Sequence, residues 1–142
     1  MRIVTDTREQ LPYWTAIRKT MVVGDYTTEK LHGKFHIERK SLADLYGTLT
    51  SGNRRFKYEL FRAAHYQIKL EVYVEGTYEQ FINKQFPKGN ERKFSKDGLI
   101  QLVKTFQKKY YLQFHWHKNR LDCKKKLEIR LKSEEKAVKK IS

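Results

Sequence analysis

Apolar and polar residues alternate in short runs over the first forty positions and again near position 70, while apolar residues elsewhere recur at helical spacing. Ile3-Val4-Thr5 and Met21-Val22-Val23 begin two of these runs, so strands are expected over 2–6 and 21–26. A third strand is expected over 34–40, where Phe35, Ile37 and Arg39 alternate with His36, Glu38 and Lys40. Ser41 is a good helix N-cap with Asp44 three residues on, as in a capping box, and Leu42, Leu45, Tyr46 and Leu49 form the stripe behind it. After the Ser51-Gly52-Asn53 turn, Phe56, Leu60, Phe61, Ala64 and His65 continue as an amphipathic helix that begins with Arg54, Arg55 and Lys57. Cations at a helix start oppose the macrodipole, which suggests that they face something anionic.

Further on, 70–75 alternates as a strand and 78–85 reads as a short helix. A polar, lysine-rich loop is expected over 86–97. Leu99, Leu102, Val103 and Phe106 mark another helix, and a strand follows over 111–117. The basic segment 118–142 fits two periods: Leu127, Ile129 and Leu131 alternate like a strand, while Leu127, Leu131 and Val138 suit a helix. Helix is the reading adopted.

The 142 residues suffice for one domain with a substantial core, and 39% apolar and 13% aromatic content belongs to a folded chain. The net charge of +15 points to a polyanionic partner, nucleic acid before an anionic membrane, with affinity that falls steeply with salt. Cys123 is alone, so no internal disulfide can form, and a reducing intracellular setting rather than secretion is expected. No signal peptide, membrane-length apolar run, phosphate-cradling GxxxxGK[ST] loop or GxGxxG motif is present, so no nucleotide-driven motor is expected.

Acidic residues gather where the expected strands end. Glu38 and Lys40 share one strand face, Asp25 closes the run before it, and Asp6-Thr7-Arg8-Glu9 closes the first. Two carboxylates about 4 Å apart repel by roughly 4 kcal/mol at an effective dielectric near 20, so several converging need protons or a cation. Oxygen ligands without Cys or a required His favour magnesium or manganese over zinc. Such an ion polarises a phosphoryl oxygen and generates hydroxide, and Lys40 beside it would orient the water or offset transition-state charge.

Gly24-Asp25, a spacer, then Glu38-Arg39-Lys40 and Asp44 resemble the GD…ERKxxxD signature of the XPF family of structure-specific endonucleases. Asp6, Arg8 and Glu9 match the family's first-strand D-x-R-E element, and Ser51-Gly52-Asn53-Arg54-Arg55-Phe56 resembles its small-residue turn before an arginine, with Arg55 the better match. The likeness spans 3–117 in element order. It implies a restriction-endonuclease-like α/β core, a central mixed β-sheet flanked by helices, as a single domain with a basic extension from about 118. It further implies metal-dependent cutting of DNA near branches or single/double-strand junctions in repair, recombination or replication, leaving a 5′-phosphate and a 3′-hydroxyl. A homodimer or a partner protein is implied as well. Relatives usually append a tandem helix-hairpin-helix domain, for which these residues leave no room.

On that resemblance the catalytic set is Asp25, Glu38, Lys40, Asp6 and Arg39, the ion is held by Asp25 and Glu38 with Asp6, Glu9 and Asp44 as further candidates, and DNA contacts come from Arg54, Arg55, Lys57, Lys93 and Lys96. Each has a plainer alternative. Glu38 and Lys40 could be a surface ion pair, Asp44 the capping partner of Ser41, and Glu9 the partner of Arg8 or Lys19. Arg39 lies on the face opposite Lys40 and is assigned support. Glu91-Arg92-Lys93-Phe94-Ser95-Lys96-Asp97 repeats the ERKxxxD spelling in a Pro- and Gly-flanked loop and is rejected as a second site, its cations being backbone contacts or merely solvated. His115 and His117 share a strand face but do not complete a zinc set. Tyr13 and Trp14 are assigned to core packing rather than base stacking. The rival functions are a catalytically silent DNA-binding subunit and a basic nucleic-acid-binding protein whose acids meet by coincidence.

Overall fold

The computed structural model describes residues 1–87 and 94–141. The elements run β1 (Ile3–Asp6), β2 (Arg18–Lys19), β3 (Tyr26–Thr28), β4 (Phe35–Lys40), α1 (Leu42–Leu49), α2 (Asn53–His65), β5 (Lys69–Val74), α3 (Tyr78–Ile82), α4 (Lys96–Tyr110), β6 (Gln113–Trp116) and α5 (Arg120–Ile141). One mixed six-stranded sheet has the order β2-β1-β3-β4-β5-β6. β3 pairs antiparallel with both β1 and β4, while β4, β5 and β6 are mutually parallel neighbours.

The period of two along β4 and β5 divides the core. His36, Glu38 and Lys40 are in register with Leu70, Val72 and Val74, so all six share a face. Leu70, Val72 and Val74 pack there under Leu45, Leu49, Phe56, Leu99, Val103 and Phe106 of α1, α2 and α4. Phe35, Ile37 and Tyr73 face the other way and meet Cys123, Leu127 and Leu131 of α5. Both faces of β4 and β5 are thus covered, as parallel strands require.

Several expectations need correction. The run Met21-Val22-Val23 is not a strand; β3 begins only at Tyr26, because Gly24 at φ +78° turns the chain first. Apolar content there reflects burial of Met21 and Val23, not sheet pairing. The expected 86–97 loop also ends early: Ser95 caps α4 by accepting a hydrogen bond from the Gly98 amide, and Lys96 and Asp97 lie in its first turn. Lys88, Arg92 and Lys93 fall outside the described residues. The expected 78–85 helix stops at Ile82, and on α2 Phe61, Ala64 and His65 face water while Ala63 joins Phe56 and Leu60 in the core. Ser41 Oγ accepts from the Asp44 amide at 3.1 Å, and the tail is helical, with Leu127 and Leu131 fully buried but Ile129 61% exposed. A strand would have put all three on one face.

α5 is held by charge as well as by its apolar stripe. Arg130 donates to both oxygens of Glu71 on β5, at 3.0 and 2.8 Å, and pairs with Glu134 one turn on at 2.7 Å. Burial opposes ionisation of Glu71, but the His115 ring nitrogen 2.9 Å away and the hydrogen bonds and charge of Arg130 pull its pKa down to about 2. Cys123 is free and fully buried, and burial pushes its thiol up to about 12. No helix among the described residues is long and apolar enough to cross a membrane.

A carboxyl with a depressed folded-state pKa stabilises above its unfolded value and loses that contribution as pH falls through the folded one. Stability should therefore drop between about pH 4.5 and 2, and this part of the drop should vanish in Glu71→Gln, as read from urea melts across pH. Arg130→Met, which leaves the buried Glu71 carboxylate only Lys69 and the His115 ring, should cost about 3 kcal/mol at neutral pH.

Candidate active site

Two strand ends and a tight turn define a cleft of about 370 Å³, with Asp25, Glu38, Lys40 and Glu59 among the residues that line it. Gly24 sets its geometry. At φ +78° it needs the conformational freedom of glycine, and an added Cβ would meet the His36 side chain at 3.0 Å and the Ile37 carbonyl oxygen at 3.3 Å. The close approach lets the Asp25 amide donate to the Ile37 carbonyl at 2.8 Å, while Asp25 Oδ2 accepts from the Arg39 amide at 2.8 Å. Asp25 is thereby fastened to β4 by backbone and side chain together. His36 holds the preceding residue, its Nδ1 donating to the Val23 carbonyl at 2.8 Å while its Nε2 accepts from the Gly33 amide at 2.9 Å.

Glu38 and Lys40 emerge side by side at the end of β4, with Lys40 Nζ 3.1 Å from Glu38 Oε2. Burial favours the neutral amine, but the adjoining Glu38 carboxylate wins and raises the lysine's pKa, so the group is an ammonium at neutral pH. Asp25 is the opposite case. Burial, then the Glu38 and Glu9 carboxylates, drive its pKa well above the usual range, and the hydrogen bond from Arg39 and the Lys40 charge only partly oppose them. Glu59 reaches in from α2, its Oε1 3.4 Å from the Gly24 amide; burial and the Glu38 charge raise its pKa to about 7.

The remaining acids have other employment. Asp6 accepts from Arg8 Nε at 2.9 Å and from the Met21 amide at 2.8 Å; these contacts overcome burial and hold its pKa below the usual range. Glu9 forms a two-bond fork with Arg39, at 2.9 and 3.0 Å. Arg39 also reaches Glu75 Oε1 at 2.8 Å, so its guanidinium sits between two buried carboxylates on the face opposite Lys40. Asp44 borders the cleft with an exposed carboxylate, and its amide caps onto Ser41. Among the described residues no three His, Cys, Asp or Glu side chains form a ready metal cage. Asp25 and Glu38, drawn together without enough positive charge, remain the pair that fits a cation. Magnesium suits so sparse a set, since it keeps several waters and takes one or two carboxylates plus substrate phosphates.

Of the expected DNA contacts, Arg55 borders the cleft, Arg54 and Lys57 line a neighbouring groove, and Lys96 lies exposed on α4 away from both. Tyr13 and Trp14 pack with Tyr26, at ring distances of 5.4 and 5.5 Å, in the core. His115 and His117 stack on Tyr73. Glu59 and Glu75 were not anticipated. Glu59 is the one acid of α2, one turn beyond Arg55 among Arg54, Lys57 and Arg62, and that isolation was a usable signal. Glu75 lies just past the end of β5, as Asp6 lies at the end of β1.

A mixed sheet carrying acids and a lysine at adjoining strand ends defines a nuclease-type α/β domain. The ERCC4 domain model matches residues 3–128, so the chain belongs to the ERCC4 domain family, the XPF-type nuclease domains. The fold is similar to that of XPF from Aeropyrum pernix, at TM-score 0.71 and 18% identity, covering 94% of this chain and 61% of that one. It is equally similar to XPF from Aeropyrum pernix in complex with DNA, at TM-score 0.70 and 19% identity, covering 96% of this chain and 66% of the other. The chain thus spans less than two thirds of the length of these solved relatives. No curated protein matches its sequence.

A carboxyl whose folded-state pKa exceeds its unfolded value stabilises while protonated, and that contribution disappears as pH rises through the folded value. At neutral pH without metal, Asp25→Asn should therefore raise Tm, by about 3 °C. Magnesium should raise the Tm of the native protein but leave that of the variant where it is, as thermal melts with and without the ion will report.

Proposed function

We propose that this domain is a divalent-metal-dependent endonuclease acting on DNA at branched or single/double-strand junctions. The observation that carries the reading is the pairing of a charged Lys40 with Glu38 beside an Asp25 whose carboxyl is crowded by other acids. In a merely structural ion pair a third, electrostatically disfavoured acid has no reason to be there.

Asp25 and Glu38 would hold magnesium or manganese, which when bound acidifies a water and offsets charge on the phosphoryl oxygens. Asp6 has both oxygens engaged and supports the site through Arg8 and Met21. Lys40, as an ammonium, serves as donor and positive charge rather than as base: it orients the attacking water and stabilises the pentavalent transition state. The water gives up a proton to solvent as its oxygen bonds to phosphorus, the bond from phosphorus to the 3′ oxygen breaks, that oxygen takes a proton from solvent, and the 5′ side keeps the phosphate. Arg55 at the cleft edge and Arg54 beside it hold flanking phosphates. They stand at the start of a helix whose N-cap, Gly52, offers no side chain to its free amides, an arrangement suited to anions. The net charge of +15 and the DNA complex of the similar Aeropyrum pernix protein support DNA as the partner. A dimer, or a second protein supplying further DNA contacts, completes the reading.

Labelled flap, fork and plain duplex DNA, incubated with magnesium or with EDTA, test it. Metal-dependent nicking that favours the branched forms is expected. Glu38→Gln and Lys40→Ala should each slow cutting by about 100-fold or more while leaving DNA affinity within a few fold. Tight binding with no cutting under any metal would replace the enzyme with a silent binding subunit.

A further inference from the structure

The larger hollow on this domain is not the acidic cleft but a groove of about 720 Å³ between the outer face of α2 and the end of α4. Its floor is apolar, built from Leu60, Ala63, Ile68 and Leu112, all nearly buried. Its rims carry large aromatic rings left in water: Phe61 is 73% exposed, Tyr58 57% and Tyr111 90%. Tyr111 is held in the left-handed region, at φ +53°, where α4 ends. Glycine or asparagine usually takes that position, and a bulky ring there costs about 1–3 kcal/mol. A strained, fully displayed ring beside an apolar floor is a surface built for contact.

The groove's charge and continuity say with what. Arg54, Lys57 and Lys109 stand along it, Arg54 over the Tyr58 ring at 5.9 Å and Lys109 over the Tyr110 ring at 5.7 Å. Among the described residues no acidic side chain lines it. It is also joined to the cleft. Lys40, Asp44, Arg55 and Glu59 border both the cleft and the hollow above the Ser51-Gly52 turn. Arg55 continues past that turn beside Arg54 and Tyr58, which in turn border the groove. One unbroken track therefore leads from the acids to the aromatic rims.

We propose that this groove binds single-stranded DNA, the unpaired arm leaving the phosphodiester that is cut. Cations spaced among aromatic rings bind single strands by neutralising phosphates while the rings stack on bases. A duplex does not fit the same description, because its base faces are already stacked on one another. The same groove of a second copy is disfavoured as the occupant, since it would set Arg54, Lys57 and Lys109 against their own like charges. The inference deepens the nuclease reading and rests on it for the strand's origin, but the binding itself needs no catalysis.

The test is fluorescence anisotropy of a labelled oligothymidylate in EDTA, with duplex of equal length as competitor. Phe61→Ala and Tyr111→Ala are both surface changes, and unchanged thermal melts will confirm intact folding. Each should weaken oligonucleotide binding at least fivefold, and Lys57→Ala should lower the salt dependence of affinity by one phosphate's share. Leu121→Ala, an exposed apolar loss on α5, should leave affinity unchanged. Bromodeoxyuridine crosslinks from the bound strand should map to Phe61 or Tyr111. Oligonucleotide affinity indifferent to both aromatic variants would overturn the proposal. So would those variants altering only self-association in the ultracentrifuge, which would make the groove a protein interface. A protein that binds through the groove but cuts nothing would sink the catalytic reading alone.

Discussion

Arg39 is the tie on which the site's shape depends. It sits at the end of β4, grips Glu9 in the loop after β1, and grips Glu75 just beyond β5. Three chain segments far apart in sequence are therefore held at one level along the sheet. The Glu9 and Glu75 side chains are as buried as the guanidinium between them. Burial opposes Arg39's charge, yet the Glu9 hydrogen bonds and both carboxylates raise its pKa, so it stays an ion at every accessible pH. A planar fork matters here, because a lysine could not satisfy both carboxylates with fixed geometry. With the underside neutralised, the upper face can hold Glu38 and Asp25 close together without unfolding the strand ends.

That arrangement divides labour between the faces of a single strand. The period of two sends Glu38 and Lys40 toward α2 and sends Arg39 away from them. The three-letter run Glu-Arg-Lys thus serves both faces of the strand, Glu38 and Lys40 lining the cleft and Arg39 bracing it from beneath. Asp25 bears the strain that remains. Its carboxyl is placed where burial and neighbouring acids disfavour ionisation, and the Arg39 amide and the Lys40 charge oppose them only in part.

The fold was legible where pattern and packing agree. β4, β5, α1, α2 and α4 carry clean periods, and the ambiguous tail resolves as helix because Ile129 faces water while Leu127 and Leu131 do not. The 21–26 run misled because two buried residues before a glycine turn look like half a strand. The acids at strand ends were legible as a group. Their separate fates were not: that Asp6 turns to Arg8 and Met21, and Glu9 to Arg39, depends on partners brought in by folding. Glu59 was missed because helical spacing places it among cations, and only the folded position of α2 brings it to the Gly24 amide and the Glu38 charge.

The support beneath the site reaches further than the sheet. Arg120, at the start of α5, bonds Glu75 at 2.9 Å and the Leu11 carbonyl at 2.6 Å, and its guanidinium lies over the Tyr13 ring. Tyr13 in turn donates to Glu75. The closing helix is consequently a keystone for the strand ends on the reverse side of the sheet from the cleft. Loosening it would take Arg120 from Glu75 and leave that carboxylate to Tyr13 and Arg39 alone, so damage on the back of the molecule would be felt at the cleft on the front.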